Sequence, residues 1–373
     1  MIYLDYAANT PADEAVLNTF CEVARSYPAN PNSPHPLGLA AKERLKQATR
    51  GIAALLGVRE QELIYTSGAS ESNNLAIKGA AQQYKKYGRH IVTTYLEHSS
   101  VSGPVAYLQA LGFEVDYVNI TESGQVDLEH LIRLLRDDTI LVSVCAVDSE
   151  LGLRQDIEAL AKITSQRPHC LLHVDAAQAV GRVQLSLEPI DLITVAPHKF
   201  YGLNGIGILV KKERVLLEPQ IHGGISTTPF RSGTPALALA ASAETALSLA
   251  LSQLQERYER VERLNTRLRQ ALTRYPKVKI NSTAHSVPFI LNISLLGAKA
   301  ELFQQALAED GINVATKSAC CAPNTVSRPV FALTKDKKAA LSTLRISLSH
   351  LTTQEEIDAF LSSFAAYYQK LCR

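Results

Sequence analysis

The stretch Cys170-Leu-Leu-His-Val-Asp175-Ala-Ala-Gln178, followed by Asp191-Leu-Ile-Thr-Val195-Ala-Pro-His-Lys199-Phe-Tyr-Gly202, decides the fold. Each half is a short, mainly apolar run that ends on polar residues. Runs this short, without strict alternation of apolar and polar residues, suit strands buried on both faces of a parallel sheet. Outward from them, further strands are expected at Leu63 to Tyr65, His90 to Thr94, Glu114 to Val118 and Ile140 to Val147. Helices are expected between them, over Gly38 to Leu56, Ser72 to Tyr87, Val101 to Leu111, Asp127 to Leu135 and Asp156 to Gln166. Alternation of this kind predicts an α/β fold, a mostly parallel sheet sandwiched by helices, with ligands at the carboxyl ends of the strands.

Lys199 follows one apolar strand and precedes the Gly-rich run Gly202 to Gly207, an odd position for a surface charge. Pyridoxal 5'-phosphate (PLP) chemistry needs a lysine to hold the cofactor and a carboxylate, here Asp175, to keep the pyridine nitrogen protonated. The plainer reading is a loop lysine and an aspartate that closes a strand. Thr66-Ser-Gly-Ala-Ser70-Glu-Ser-Asn-Asn74 opens a helix after a strand, so its amides and dipole suit an anion; the same residues also make an ordinary helix cap. His98, at another strand end, either stacks on a flat cofactor and moves protons or is a structural histidine.

The chain has 373 residues, 46% apolar and 20% charged, which predicts a globular protein of more than one core. A net charge of +2 gives no footprint for nucleic acid or a membrane surface. Met1-Ile-Tyr-Leu-Asp-Tyr6 carries an acid where a secretory leader has basic residues, and reads as a first strand. Ala236 to Leu254 contains Glu244 and several serines, so a buried helix is expected rather than a membrane span. The six cysteines show neither a disulfide framework nor a zinc spacing, and reduced cytoplasmic thiols are expected. Two regions follow: a large domain over 15–254, and a smaller α+β domain from 1–14 with 255–373 that includes Cys320.

Taken together, the Gly-Ala-Ser helix start, Glu97-His98, Asp175-Ala-Ala-Gln178, His198-Lys199-Phe-Tyr-Gly202, Tyr3-Leu-Asp-Tyr-Ala-Ala8 and Arg231-Ser-Gly-Thr234 resemble the class V, fold-type I PLP enzymes. The likeness is to the cysteine desulfurases of the NifS/IscS kind, nearly end to end. It implies that Lys199 holds PLP and takes the Cα proton, that Asp175 pairs with the ring nitrogen, and that Gln178 bonds the ring oxygen. His98 would stack on the ring and serve as acid or base. Ala69, Ser70 and His198 would hold the phosphate, and Thr234 would reach the phosphate of a partner subunit in a homodimer. Ser318-Ala319-Cys320 matches the loop cysteine that accepts the substrate sulfur, and Arg345 the arginine that holds the substrate carboxylate. For Cys321 three readings stand: inert, resolving, or a second acceptor.

Three departures stand out. Asp148-Ser149-Glu150 replaces the family's Asn-Asn-Glu, so Ser149 stands where an asparagine contacts cofactor or substrate. Ala196 replaces a serine that offers the phosphate a hydroxyl, and His222-Gly-Gly-Ile-Ser-Thr-Thr-Pro229 replaces a Gly-Gly-Gly-Gln-Glu run. The implied reaction converts L-cysteine to L-alanine and leaves a persulfide on Cys320 for an acceptor protein, an Fe–S scaffold or a tRNA-thiolating enzyme. One alternative is a PLP lyase or aminotransferase acting on selenocysteine, cysteine sulfinate or cystine without Cys320. Another is a weakened PLP-binding homologue that regulates or docks with a sulfur-transfer protein. No direct nucleic-acid or membrane contact is expected.

Overall fold

The strands Leu171–Asp175 and Leu192–Val195 form as expected, adjacent and parallel, with every residue buried. The computed structural model describes residues 1–317 and 325–372. Around this pair lies a seven-stranded sheet, in the order Leu63–Thr66, Gly207–Lys211, Leu192–Val195, Leu171–Asp175, Thr139–Cys145, His90–Thr93 and Glu114–Tyr117. Gly207–Lys211 runs antiparallel to both its neighbours, and the other pairings are parallel. The glycines Gly202, Gly205 and Gly207 locally favour a turn, so this strand is not expected from the sequence. Pairing with two buried neighbours, rather than local propensity, makes it one.

Local chemistry explains where the helices begin. His35, Asp127 and Asp156 each accept from a backbone amide in the first turn of the helices Pro36–Leu56, Leu128–Leu134 and Ile157–Thr164. Those bonds satisfy donors that a helix start leaves free. Gly57 ends the first of these in the left-handed conformation, φ 65°, which glycine adopts without Cβ strain.

Beyond Leu237–Ser252 the architecture changes. That helix is buried along Ala240, Ala243, Ala246, Leu247 and Ala250, and packs on Glu14–Ser26 and Pro36–Leu56. The charged helix Leu254–Leu272 turns the apolar stripe Val261, Leu264, Leu268 and Leu272 inward, the spacing of one helical face, with Arg257 and Asn265 buried beside it. An antiparallel sheet of Thr343–Ser347, Ile290–Leu295 and Val278–Ile280 follows, and Ile2–Tyr3 pairs parallel with Ile312–Asn313. One cluster of buried apolar side chains runs from Val16 and Leu45 through Val174 and Val195 to Ile293, Leu344 and Phe364. Among the described residues no single helix is long and apolar enough to cross a membrane.

The carboxyl ends of the parallel strands meet where the second sheet approaches them. Segments after five strands, the N-terminal strap and Arg345 of the second sheet enclose a cavity of ≈ 360 Å³ there.

Candidate active site

Lys199 ends a short helical turn, Pro197–Lys199, directly after its strand. Its Nζ donates to the carbonyls of Ala7 (2.8 Å) and Ala8 (2.6 Å). Burial first, then the charge of Arg182, lowers this lysine from the ordinary 10.5 to about 7. The loop behind it is held in a conformation that non-glycine residues rarely adopt, with Tyr201 at φ 69°. Tyr201 N–H donates to Thr10 Oγ1, and its carbonyl accepts from Asp13 N–H.

Asp175 Oδ2 accepts from Asn73 Nδ2 (2.8 Å) and Oδ1 from Ala177 N–H (3.0 Å). Among the described residues no cation lies within ion-pair distance of this buried carboxylate. Asn73 Nδ2 also donates to Ser100 Oγ at 2.8 Å, and Ser100 Oγ lies 2.8 Å from His98 Nδ1. His98 Nδ1 accepts the Ser100 N–H at 3.1 Å, so His98 caps the helix Ser99–Ala110 while its ring lines the cavity. Burial lowers the pKa of His98, against the opposing charge of Asp175.

Gln178 lines the cavity and donates from Nε2 to Ala7 O at 2.9 Å. Its Oε1 accepts from Arg182 Nη1 at 2.6 Å. Arg182, which the sequence reading missed, also donates to Tyr6 O and Lys199 O. Its guanidinium thereby ties the lysine loop to the N-terminal strap, and burial pulls it down to about 10.

Ser67, Gly68, Ala69 and Ser70 form one wall at the start of the helix Ala69–Tyr84. Gly207 makes this close approach possible: a Cβ on it would meet Gly68 C at 2.5 Å. Glu71 accepts from Ser67 N–H and pairs with Arg231 at 2.9 Å, which ties the Arg231–Thr234 motif, just after the altered 222–229 run, to this wall. His198 lines the cavity, and burial followed by the Lys199 charge brings it down to about 4. It is therefore a neutral imidazole at physiological pH.

Arg345 is 1% exposed. It donates from Nη1 to Ser149 O (2.8 Å) and from Nη2 to Asp5 Oδ1 (2.7 Å). Ser149 lines the cavity beside it, in a turn that Asp148 builds by accepting from the amides of Glu150, Leu151 and Leu153. Cys320 and Cys321 lie outside the described residues. The chain on either side of them is anchored: Lys317 Nζ donates to Thr325 O (2.8 Å), Ser327 Oγ to Glu150 Oε2 (2.5 Å), and Arg328 to Ser102 Oγ (3.0 Å).

Nearly all the predicted site residues that are described therefore meet in one cavity: Ala69, Ser70, His98, Ser149, Asp175, Gln178, His198, Lys199 and Arg345. Thr234 does not. It is exposed, beside a different cavity lined by Tyr27, Asn30 and Leu237. The residue set fits PLP on this chain's own chemistry. A lysine poised near neutrality, a buried carboxylate with no cation at ion-pair distance among the described residues, an imidazole in the same cavity and a helix start for an anion are what that cofactor needs.

The fold and this constellation define a PLP-type enzyme with its lysine at a strand's carboxyl end. The chain belongs to the aminotransferase class-V family, whose model matches residues 2–360, and within it to the NifS/IscS-like cysteine desulfurases. It is 38% identical over 363 residues to "Cysteine desulfurase IscS" of Neisseria meningitidis serogroup C (strain 053442), covering 95% of this chain and 89% of that one. A solved structure described as a NifS-like protein superposes with a TM-score of 0.93 at 33% identity, covering 99% of this chain and 100% of its own. Another, described as SspA in complex with cysteine, gives 0.82 at 29% identity, covering 95% and 100%.

Proposed function

We propose that the chain is a PLP-dependent cysteine desulfurase that releases L-alanine from L-cysteine and leaves the sulfur on Cys320. The observation that carries this reading is the meeting of Lys199, Asp175 and His98 in one cavity with Arg345, whose strand is bonded to the stem of the Cys320 segment. Relatives named as cysteine desulfurases, and a neighbour described in complex with cysteine, support it.

When bound, PLP supplies a ring that takes up the electron pair left by the broken Cα–H bond, provided its nitrogen stays protonated. Asp175 holds that proton in place, oriented by Asn73 and Ala177 N–H. The Ala69 and Ser70 amides, the Ser70 hydroxyl and neutral His198 would bind the phosphate, without the hydroxyl that Ala196 lacks. Gln178, whose Nε2 keeps a second hydrogen beyond its bond to Ala7 O, would serve the ring oxygen. Arg345 has N–H groups left after bonding Ser149 and Asp5, and its planar fork takes the substrate carboxylate beside Ser149. Lys199, near neutrality, moves the Cα proton, and His98 moves a proton at the substrate sulfur. The Cys320 thiolate attacks that sulfur: an S–S bond forms, the substrate Cβ–S bond breaks, and Cβ gains a proton. Overall, cysteine and a protein thiol become alanine and a protein persulfide.

The reading extends to a homodimer in which Thr234 of each chain serves the partner's phosphate, and to a cytoplasmic sulfur acceptor, an Fe–S scaffold or a tRNA-thiolating enzyme. It also divides the chain into a PLP-binding domain over 15–254 and a small domain from 1–14 with 255–373. The test is alanine formed from L-cysteine by PLP-loaded protein and by Cys320→Ser, with dithiothreitol present and the Cys320 peptide checked for a persulfide by mass spectrometry. Alanine from the wild type alone supports the desulfurase. Equal alanine from both points to a lyase, and none from either to a PLP-binding partner protein.

A further inference from the structure

We infer that Asn73 is a positioning residue that couples the ring-nitrogen carboxylate Asp175 to His98, fixing the first as an acceptor and the second as the tautomer that carries its proton on Nε2. The inference rests on the assignment of the cavity to PLP. It uses a residue that neither the motifs nor the expected roles singled out.

The direction of every proton in the chain of bonds can be worked out. Asn73 is buried at 0% exposure and its Nδ2 has two hydrogens, one for Asp175 Oδ2 and one for Ser100 Oγ. Turning the amide over would set Oδ1 against the carboxylate, two acceptors face to face, so the orientation follows from the network. The cost is visible: among the described residues Asn73 Oδ1 has no hydrogen-bond partner, and it is buried. A buried amide oxygen left unpaired is unfavourable, so the Nδ2 bonds outweigh it.

Ser100 Oγ receives one Asn73 hydrogen, which leaves its own hydrogen for His98 Nδ1 at 2.8 Å. The backbone N–H of Ser100 also points at Nδ1, at 3.1 Å. Two donors on one ring nitrogen exclude a proton there. The imidazole is thus the Nε2–H form, with Nδ1 engaged by its own helix and Nε2–H left for the cavity. It starts the reaction as a hydrogen-bond donor at that atom rather than as a base. Asn73 orders both branches because it sits on the helix that also forms the anion wall, Ala69–Tyr84, and reaches across 102 residues of sequence to Asp175.

The experiment compares Asn73→Asp, Asn73→Ala and Ser100→Ala with wild type, first without substrate. PLP affinity is read by titrating apo-protein, and the visible absorbance of the loaded protein is followed against pH. Asn73→Asp keeps the size and exchanges a donor for an acceptor beside Asp175. Relative to wild type at the same pH, its PLP affinity is expected to be about tenfold or more lower at alkaline pH, and the gap to close as the pH is lowered and the new carboxyl takes up a proton. Ser100→Ala cuts only the His98 branch. It should bind PLP within about twofold of wild type while the pH profile of kcat/KM shifts. Asn73→Ala should show both effects.

The charged and titratable groups facing His98, namely Asp175, Lys199, Glu150 and Arg328, are unchanged in all three variants. If Asn73→Asp binds PLP like wild type at alkaline pH, or if all three variants lower only the melting temperature, the coupling is wrong. Affinity and absorbance are read without cysteine, so a protein that loads PLP but makes no alanine would defeat the desulfurase reading and leave this one standing.

Discussion

Ala315 and Arg345 exchange both backbone hydrogen bonds, the Ala315 N–H to the Arg345 carbonyl at 3.1 Å and the reverse at 2.6 Å. Arg345, proposed to read the substrate carboxylate, and the stem of the segment that leads to Cys320 are therefore one structural unit. Thr343 Oγ1, bonded to Thr316 O at 2.7 Å, extends the same ladder.

Arg345→Lys is expected to raise KM for cysteine by about 10- to 100-fold, since a point charge replaces a fork and loses a charge-assisted bond. Steady-state alanine production measures this. PLP affinity should hardly change.

Asp5→Asn acts on the same guanidinium from the other side. Asp5 shares Arg345 with the incoming carboxylate, so removing its charge should lower KM a few fold. The apo-protein should also lose about 1–3 kcal/mol, because a buried cation loses its anion. Thermal unfolding with and without saturating cysteine separates the two effects. An unchanged melting temperature and a raised KM would contradict both.

The depressed Lys199 pKa makes a signed prediction. Between about 7 and 10.5 the unfolded chain holds a proton on this lysine that the folded apo-protein has released. The unfolded state binds more protons there, so this group's contribution to stability increases as pH rises through that window. Lys199→Met should flatten that part of the difference curve in urea unfolding. In the same way, PLP capture by the apo-protein should follow an ionisation near 7, since only the neutral amine is a nucleophile.

Gly207→Ala tests the anion wall without removing a polar group. The added methyl would meet the Gly68 backbone at 2.5 Å and Thr66 Oγ1 at 2.6 Å. Overpacking of this kind costs about 1–3 kcal/mol, and the displaced helix start should weaken PLP and free phosphate alike. Competition by inorganic phosphate against PLP loading reads the second effect.

The sequence by itself determined the alternation of buried strands and capped helices, and it put Lys199, Asp175 and His98 just at or after the ends of strands. Those are local facts: an apolar run of strand length, a helix cap, a polar residue just after a strand. It could not supply Gly207–Lys211, whose glycines locally suggest a turn and which becomes a strand only between two partners. Nor could it single out Asn73, Arg182 or Asp5. Each is one ordinary polar residue whose part depends on a partner distant in sequence: 102 residues from Asn73 to Asp175, 176 from Arg182 to Tyr6, and 340 from Asp5 to Arg345. An adjacent Asn74 shows how little the residue type says, since it donates only to Ser70 O on its own helix and stays at the surface. The tertiary structure decided which polar groups are buried together. Burial is what turns an amide, a guanidinium and a carboxylate into parts of a site, because only away from water does each unpaired donor or charge have to find a specific partner.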